Sequence, residues 1–327
     1  MSEASDPPQP LSIERLPGVD LLRGIAVVAM IIYHFTWDLR YFGLIQTDVV
    51  RHPFWMLFAR AIAGSFLMLA GISLVLATRH GFDWPKIGKR VALVGGAALL
   101  VTIGTAFAMP DSYVFFGILH AIALCSILAL PFLRLPVLVT AVVAAAVFTI
   151  PWVLMHPLFD APLLQWLGLG TRSPLTNDFV PVFPWLAPLL AGVVIGRHLP
   201  EVAPSWLSAQ PQGASQWIAR MGRFSLPIYL VHQPILMALL GALSLALPSA
   251  ATPTNPDRVT REFRDACDMN CMKSGGSAEI CMRYCTCAEG EIRKAQLWTP
   301  LIRQSLTPRQ RDDVAAITLI CTERARQ

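Results

Sequence analysis

The chain has 327 residues, of which 54% are hydrophobic and 14% are charged. Soluble domains carry about 25% charged residues, so this composition is typical of a protein embedded in lipid. The net charge of +5 is small and the chain has no basic tract, which excludes nucleic acid as an expected partner.

Charged residues are concentrated towards the end of the chain. Residues 1–254 hold 14 Lys and Arg with 11 Asp and Glu, whereas residues 255–327 hold 12 and 10. The first region is therefore expected to lie in the membrane and the last to be water-soluble. We divide the chain into a cytoplasmic N-terminal segment (1–18), a transmembrane domain (19–247), a linker (248–256) and a cysteine-rich helical domain (257–327).

Seven apolar runs are long enough to cross a bilayer, since a spanning helix needs roughly 20 mainly apolar residues. They predict an all-α fold, in which a polytopic membrane helix bundle precedes a small disulfide-stapled helical domain. Proline within a run does not argue against a span, because neighbouring groups can satisfy the freed carbonyls. The predicted spans are residues 19–39, 53–77, 88–109, 113–133, 136–156, 180–199 and 226–247.

The positions of Lys and Arg predict the orientation. If the N-terminus is cytoplasmic, ten of these residues near span ends fall inside and three fall outside. Positive charge accumulates on the cytoplasmic side of membrane proteins, so the bias supports this orientation. We expect a multi-pass protein of the cell (inner) membrane, with a cytoplasmic N-terminus and a periplasmic or extracellular C-terminal tail.

The first predicted span carries four ionisable residues, Asp20, Arg23, His34 and Asp38. Charges within spans are costly, so each is a functional candidate. Arg23 and His34 are 11 residues apart, close to three helical turns and roughly 16 Å, and therefore face the same way. Arg23 could hold a phosphate-rich donor, and His34, oriented by Asp38, could be a general base or nucleophile. The alternative is that Arg23 is a topology charge and His34 a packing residue.

Further candidates lie in later spans. For Arg60 in the second span, the alternative to a site role is a structural ion pair, and a structural role is equally plausible for His120 in the fourth. Asp178 precedes Phe183-Pro184-Trp185 at the outer end of the sixth span, where an acceptor contact is slightly favoured over a helix-cap role. His232 lies in the cytoplasmic third of the last span.

Several of these motifs, in this order, resemble a known family. The run from Gly18 to Ala26, followed by His34, resembles the first helix of membrane-bound acyltransferases, whose hallmark is Arg or Lys, ten residues, then His. More specifically, the chain resembles small bacterial proteins grouped with the catalytic domain of heparan-alpha-glucosaminide N-acetyltransferase. The other matching pieces are Arg60 with Ala63-Gly64-Ser65-Phe66, Phe116-Gly117-Ile118-Leu119-His120, Phe183-Pro184-Trp185, and Gly222-Arg223-Phe224-Ser225-Leu226 leading to His232-Gln233-Pro234.

The resemblance implies a membrane acyltransferase that moves an acetyl group from acetyl-CoA, taken from the cytosol, to a sugar or amino-sugar acceptor. It implies no metal, and the oligomeric state stays open. Two alternatives remain: a transporter without covalent chemistry, and a multi-span anchor for the cysteine-rich module. On the acyltransferase hypothesis the catalytic residues are His34 and Asp38, the acyl-CoA-binding residues Arg23, Arg60 and His232, and the acceptor-binding residues His120, Asp178 and Trp185.

Six of the seven cysteines follow the last span. Two C-x3-C pairs, each with both cysteines on one helix face, flank the turn residues Ser274–Ser277. Two helices folded back at this turn would pair Cys267 with Cys285 and Cys271 with Cys281, leaving Cys287 for Cys321. Zinc is the alternative, but the tail contains no His and the spacing is not C-x2-C. Disulfides persist in oxidising compartments, which agrees with an outside location.

Overall fold

The computed structural model describes residues 16–45, 47, 49–50, 52–202, 205–246, 256–302 and 306–326. The chain divides into two compact units, Met1–Pro248 and Ser249–Gln327. Most of the expected N-terminal segment and nearly all of the expected linker lie outside the described residues. The described parts of both units are built from α-helices, numbered below in chain order.

In the described part of the first unit, five helices are long and apolar enough to cross a membrane. At a rise of 1.5 Å per residue, each can cover a hydrocarbon core of about 30 Å. This confirms the prediction of a polytopic, all-α membrane bundle. The five are α1 (Pro17–Tyr41), α2 (Pro53–Thr78), α3 (Trp84–Ala108), α6 (Val182–Val202) and α9 (Ser225–Ala246).

The remaining two apolar runs form shorter helices, α4 (Ile118–Leu128) and α5 (Val137–Val153). The 11 residues of α4 rise only about 16 Å, so the run expected at 113–133 is not one spanning helix. Pro131 follows the C-terminal end of α4 and prevents the helix from continuing. Before its start the chain is held outside a helix, because Thr102 Oγ1 donates to the Val114 carbonyl (2.7 Å) and Thr105 Oγ1 accepts from the Val114 amide (3.0 Å).

Two helices between the last two spans were not predicted, α7 (Ser205–Ser208) and α8 (Ala214–Arg223). α8 is amphipathic: it buries Ala219 and Gly222 and exposes Trp217. Its ten residues are too few to span, and their mixed polarity hides them from a search for apolar runs.

The buried face of α8 packs closely against α1. A Cβ atom added to Gly24 would lie 1.9 Å from the Ile218 carbonyl oxygen, and one added to Gly222 would lie 1.8 Å from the Asp20 carbonyl oxygen. Both glycines are therefore required for the two backbones to approach this closely. Small residues serve the same purpose at helix contacts within membranes generally.

The largest core of the unit lies between α2 and α6. Leu67 and Leu74 of α2 and Leu189, Leu190 and Val193 of α6 are almost fully buried there. Glycines again permit the close approach, since an added Cβ at position 71 would meet the carbonyl of residue 189 and one at position 192 would meet that of residue 68. This packing fixes α2, and hence the α2 side chains that face α1 and α3.

The second unit is a small helical module. It contains α10 (Pro256–Lys273), α11 (Ala278–Lys294), α12 (Trp298–Ile302) and α13 (Pro308–Arg326). Disulfides join α10 to α11 and α11 to α13, with the pairing that the sequence predicts: Cys267–Cys285, Cys271–Cys281 and Cys287–Cys321.

The apolar core of this module is small and centres on Ile292, Leu297 and Ile317. Charged side chains of α11 bind neighbouring helices at its edge. Glu291 accepts from Lys294 and from Arg324 of α13, at 3.0 Å each, and these hydrogen bonds lower the pKa of Glu291. A module with so small an apolar core needs cross-links such as disulfides for its stability.

Substituting Gly222→Ala tests the contact between α1 and α8. The added methyl group must push the two backbones apart, and overpacking of this kind costs about 1–3 kcal/mol. We expect a lower midpoint of thermal unfolding for the full chain in detergent. Gly95→Ala in α3 is the control, because no atom lies within 4 Å of its added Cβ. An unchanged midpoint for Gly222→Ala would contradict the close contact.

Candidate active site

A cavity of about 300 Å³ lies among the helices of the first unit. Its volume is at the lower end of the range for small-molecule sites. One end is cationic and the other is lined by an aromatic hydroxyl and apolar side chains. The lining residues discussed below are Arg23 of α1, Ser73 of α2, Arg90 of α3, Arg223 of α8 and Tyr229 of α9.

Three arginines line the cationic end, Arg23, Arg90 and Arg223. Arg90 is held by α2, donating through Nη2 to the Ala70 carbonyl oxygen at 3.3 Å. Arg23 donates through Nη2 to Ser73 Oγ at 2.6 Å. Guanidinium groups present planar arrays of donors suited to phosphate, so this end of the cavity is built to attract a phosphorylated ligand.

Asp20 fixes two of the three guanidinium groups. Its Oδ1 accepts from Arg23 at 3.0 Å and its Oδ2 accepts from Arg223 at 3.3 Å. The side chains of Asp20 and Arg23 are 15% and 22% exposed, so the pair is largely shielded from solvent. One carboxylate against three guanidinium groups leaves an excess of positive charge facing the cavity.

Tyr229 connects the cavity with the segment that precedes α6. Its hydroxyl donates to Asp178 Oδ2 at 3.5 Å. The same oxygen accepts from the Ile118 amide, at 2.9 Å, and so caps the first turn of α4. Asp178 thus caps α4 rather than the sixth span that it precedes in the sequence, and its contact with an acceptor stays a prediction.

Two histidines meet beside Tyr229. The rings of His34 on α1 and His232 on α9 have centroids 5.0 Å apart, and the ring of Tyr229 lies 5.7 Å from that of His232. His232 Nδ1 lies 2.7 Å from the Tyr229 carbonyl oxygen. Because a carbonyl only accepts, Nδ1 carries the proton and Nε2 holds a lone pair. That Nε2 is buried and has no hydrogen-bond partner among the described residues.

Asp38 does not orient His34 as expected. It is fully buried, and its Oδ1 accepts from Gln233 Nε2 at 2.7 Å. This contact with α9 draws the carboxylate away from the ring of His34, which faces His232 instead. In the described chain, Asp38 Oδ2 and Gln233 Oε1 are buried without a partner. Together with His232 Nε2, they make three buried acceptor atoms without a partner in the described chain, one on α1 and two on α9.

Arg60 does not contribute to the cavity. It is exposed on α2, and the residues of that helix that line the cavity are Phe66, Ala70 and Ser73. Arg60 and Ser73 are 13 residues apart, which turns their side chains about 140° away from each other around the helix. The structure therefore gives no support to Arg60 as a ligand of the donor.

His120 and Trp185 are engaged in the protein framework. His120 Nδ1 accepts from the Gly117 amide, and its Nε2 lies 3.2 Å from Thr102 Oγ1, so both ring nitrogens have partners. Trp185 packs against the core between α2 and α6. These contacts favour the structural alternative for His120, and acceptor binding by either residue stays a prediction.

Sequence reasoning did not select several residues of this site. The sequence assigns no site role to Arg90 or Tyr229, and it gives Arg223 and Gln233 only as parts of motifs that match the family. The sequence does hold a signal for them. Tyr229, His232 and Gln233 are polar residues within one apolar run, and Tyr229 and His232 are three residues apart, so they share a helix face. Arg90 is held at the cavity by a carbonyl of α2, and this contact could not be inferred from the sequence of α3 alone.

Within the described ranges, no group of three His, Cys, Asp or Glu side chains is arranged to hold a metal ion. The fold and site define a polytopic helical membrane protein in which a cavity lined by three arginines reaches Tyr229, whose ring lies beside a histidine pair. The family model described as "Heparan-alpha-glucosaminide N-acetyltransferase, catalytic" matches residues 15–234. The chain therefore belongs to this family, and its function is of the transmembrane acetyltransferase type. No curated protein and no solved structure matches the chain significantly.

Removing the carboxylate of Asp20 is expected to destabilise the protein. Asp20→Ala leaves two guanidinium groups without their shared partner, and losing a partly buried partner of this kind costs about 1–3 kcal/mol. Thermal unfolding of the full chain in detergent measures the effect. Asp83→Asn is the control, because it removes the charge of an exposed pair with Lys86, which contributes at most about 1 kcal/mol, and keeps an oxygen that can cap α3. Equal losses in the two variants would refute the role of Asp20.

Proposed function

We propose that the protein transfers an acetyl group from acetyl-CoA to an amine or hydroxyl group of a sugar or amino-sugar acceptor. The observation that carries the proposal is the single cavity that joins three guanidinium groups to Tyr229, which lies one helical turn from His232. A donor with phosphates at one end and a reactive thioester at the other matches this order of groups.

The donor's phosphates would bind at the cationic end of the cavity. Arg90 and Arg223 supply donors there, and Arg23 is already oriented by Asp20 and Ser73. The walls beyond them are apolar, with Phe66, Val94 and Leu226 among the lining residues. An extended acyl-carrying arm would lie against these walls with its thioester towards Tyr229. Arg23 and His34 are 11 residues apart on one helix, so a span of about 16 Å separates the two ends of the reaction site.

We propose His232 as the general base, in place of His34, rather than as the acyl-CoA ligand that the resemblance implies. Its Nδ1–H is held by the Tyr229 carbonyl, which leaves the Nε2 lone pair to accept a proton. In the reaction the acceptor's nitrogen or oxygen bonds to the acetyl carbon, and the carbon–sulfur bond of the thioester breaks. The acceptor's proton passes to the imidazole, and the leaving thiolate takes up a proton. His34, 5.0 Å away between ring centroids, would stabilise or share the charge on the imidazole pair.

The unpaired buried atoms support an acceptor rich in N–H or O–H groups. Asp38 Oδ2, Gln233 Oε1 and His232 Nε2 all accept hydrogen bonds, and each is buried without a partner in the described chain. Buried polar groups left unpaired cost free energy, so an incoming donor group would be bound tightly. Amines and sugar hydroxyls are donor groups of this kind, which is why we favour them over an apolar acceptor.

We further propose that the protein lies in the inner membrane, with its N-terminus in the cytoplasm and the disulfide-stapled unit outside. The placement of Lys and Arg supports the first part, and the persistence of disulfides in oxidising compartments supports the second. The donor would then reach the arginines from the cytosol.

Replacing either histidine tests the chemistry. We expect His232→Ala and His34→Ala to lower the rate of acetyl transfer from labelled acetyl-CoA by about 10²–10⁴-fold, the usual contribution of a general base. The assay uses purified full-length protein and a panel of sugars and amino sugars. His80→Ala serves as the control because His80 is exposed beyond the end of α2. Full transfer by His232→Ala would remove this residue from the mechanism.

Neutralising Arg90 tests the donor site. We expect Arg90→Gln to raise the KM for acetyl-CoA about tenfold with a smaller change in kcat, because the contact with phosphate is the same in the ground state and the transition state. Lys89→Gln removes the same charge from the next residue of α3, which is exposed and does not line the cavity. If the two variants have equal KM values, the arginines do not bind the donor.

The same assays separate acyl transfer from transport. A carrier without covalent chemistry would move its substrate across proteoliposomes in the absence of any CoA thioester. Acceptor flux that neither needs acetyl-CoA nor leaves an acetylated product would replace the proposal by that alternative.

A further inference from the structure

A second cavity, of about 280 Å³, lies where α2 and α6 approach their C-terminal ends. Thr78 and Arg79 contribute from the end of α2, and Gly196 and Arg197 contribute from α6. It shares no lining residue with the cavity described above. The proposed acyl transfer makes no use of it.

The polar side of this cavity is strongly cationic. Arg79 and Arg197 line it, and the guanidinium of Arg134 stacks over the ring of Phe82, which is also a lining residue, at 4.3 Å from its centroid. The lining residues include no carboxylate. Asp83, next to Phe82, is already engaged by Lys86 at 2.8 Å.

Two nitrogens of the Arg197 guanidinium bind backbone carbonyls. Its Nη2 donates to the Leu133 carbonyl at 2.9 Å, and its Nη1 donates to the Leu135 carbonyl. A guanidinium has five N–H donors, so further donors remain for a ligand. Arg197 is therefore held in position, while Arg79 and Arg134 are exposed at the rim.

The cavity also has apolar lining residues, Val75, Phe82 and Leu133. Val75 and Thr78 lie in the last turn of α2, a helix long and apolar enough to span the bilayer, so the cavity lies at the depth where lipid headgroups meet hydrocarbon. A free inorganic anion would gain nothing from contact with the apolar side chains, whereas a phospholipid presents a phosphate and an acyl chain together. Basic pockets at the ends of membrane helices bind anionic headgroups for this reason.

We propose that this cavity binds the headgroup of an anionic phospholipid, with its phosphate between Arg79, Arg134 and Arg197 and the start of an acyl chain against Val75 and Leu133. Each Lys or Arg near an anionic membrane surface strengthens binding about fivefold. Removing two of the three cations is therefore expected to weaken lipid binding about 25-fold.

The test compares lipid binding by full-length protein in neutral detergent, measured by native mass spectrometry during titration with phosphatidylglycerol, phosphatidylcholine or inorganic phosphate. For the wild type we expect retained phosphatidylglycerol at concentrations where phosphatidylcholine is not retained and inorganic phosphate does not compete. The double variant Arg79→Gln with Arg134→Gln is expected to lose about 25-fold in affinity for phosphatidylglycerol.

Two further double variants control for charge and folding. Lys89→Gln with Arg220→Gln removes the same charge from exposed positions outside the cavity and should bind within about twofold of wild type. Arg79→Lys with Arg134→Lys keeps the charge, should retain most of the affinity, and carries the test if the glutamine variant does not fold. Undiminished binding by a folded glutamine variant, or competition by inorganic phosphate at equal concentration, would overturn the proposal.

Discussion

The carboxylate of Asp20 binds two arginines from different helices, and the rest of the site depends on that arrangement. Arg23 belongs to α1 and Arg223 to α8, and both point into the cavity only because the backbones of these helices touch at Gly24 and Gly222. Charges are costly within a bilayer unless they are paired. The pairing stabilises the fold, and the positive charge that remains unbalanced faces the cavity.

The two ends of the cavity are specialised in different ways. At the cationic end, guanidinium groups are held by carbonyl and hydroxyl oxygens of α2. At the other end, Tyr229 bonds the same oxygen of Asp178 that caps α4, and its carbonyl fixes the tautomer of His232. Tyr229 therefore ties the position of the imidazole to the start of α4. A shift of that helix would therefore also move the imidazole of His232.

The helical class, most of the spans, the family and the disulfide pairing could be predicted from sequence, because hydrophobic run length and C-x3-C spacing are local signals. The roles of Arg60 and Asp38 could not, since both depend on which helix lies opposite. Arg60 lies on a different face of α2 from the residues that line the cavity. Asp38 accepts a hydrogen bond from Gln233, a residue 195 positions away. Local spacing placed Asp38 within reach of His34 but could not reveal that its carboxylate binds Gln233 of α9.

The shortness of α4 has a consequence for how far a chemical group must travel. Its 11 residues rise about 16 Å, roughly half of a hydrocarbon layer of about 30 Å, and the backbone before it, around Val114, is hydrogen-bonded outside a helix. This helix therefore does not bridge the layer by itself. Under the proposed acyl transfer, only a two-carbon unit would have to pass this place, while the bulky, charged donor would stay on its own side.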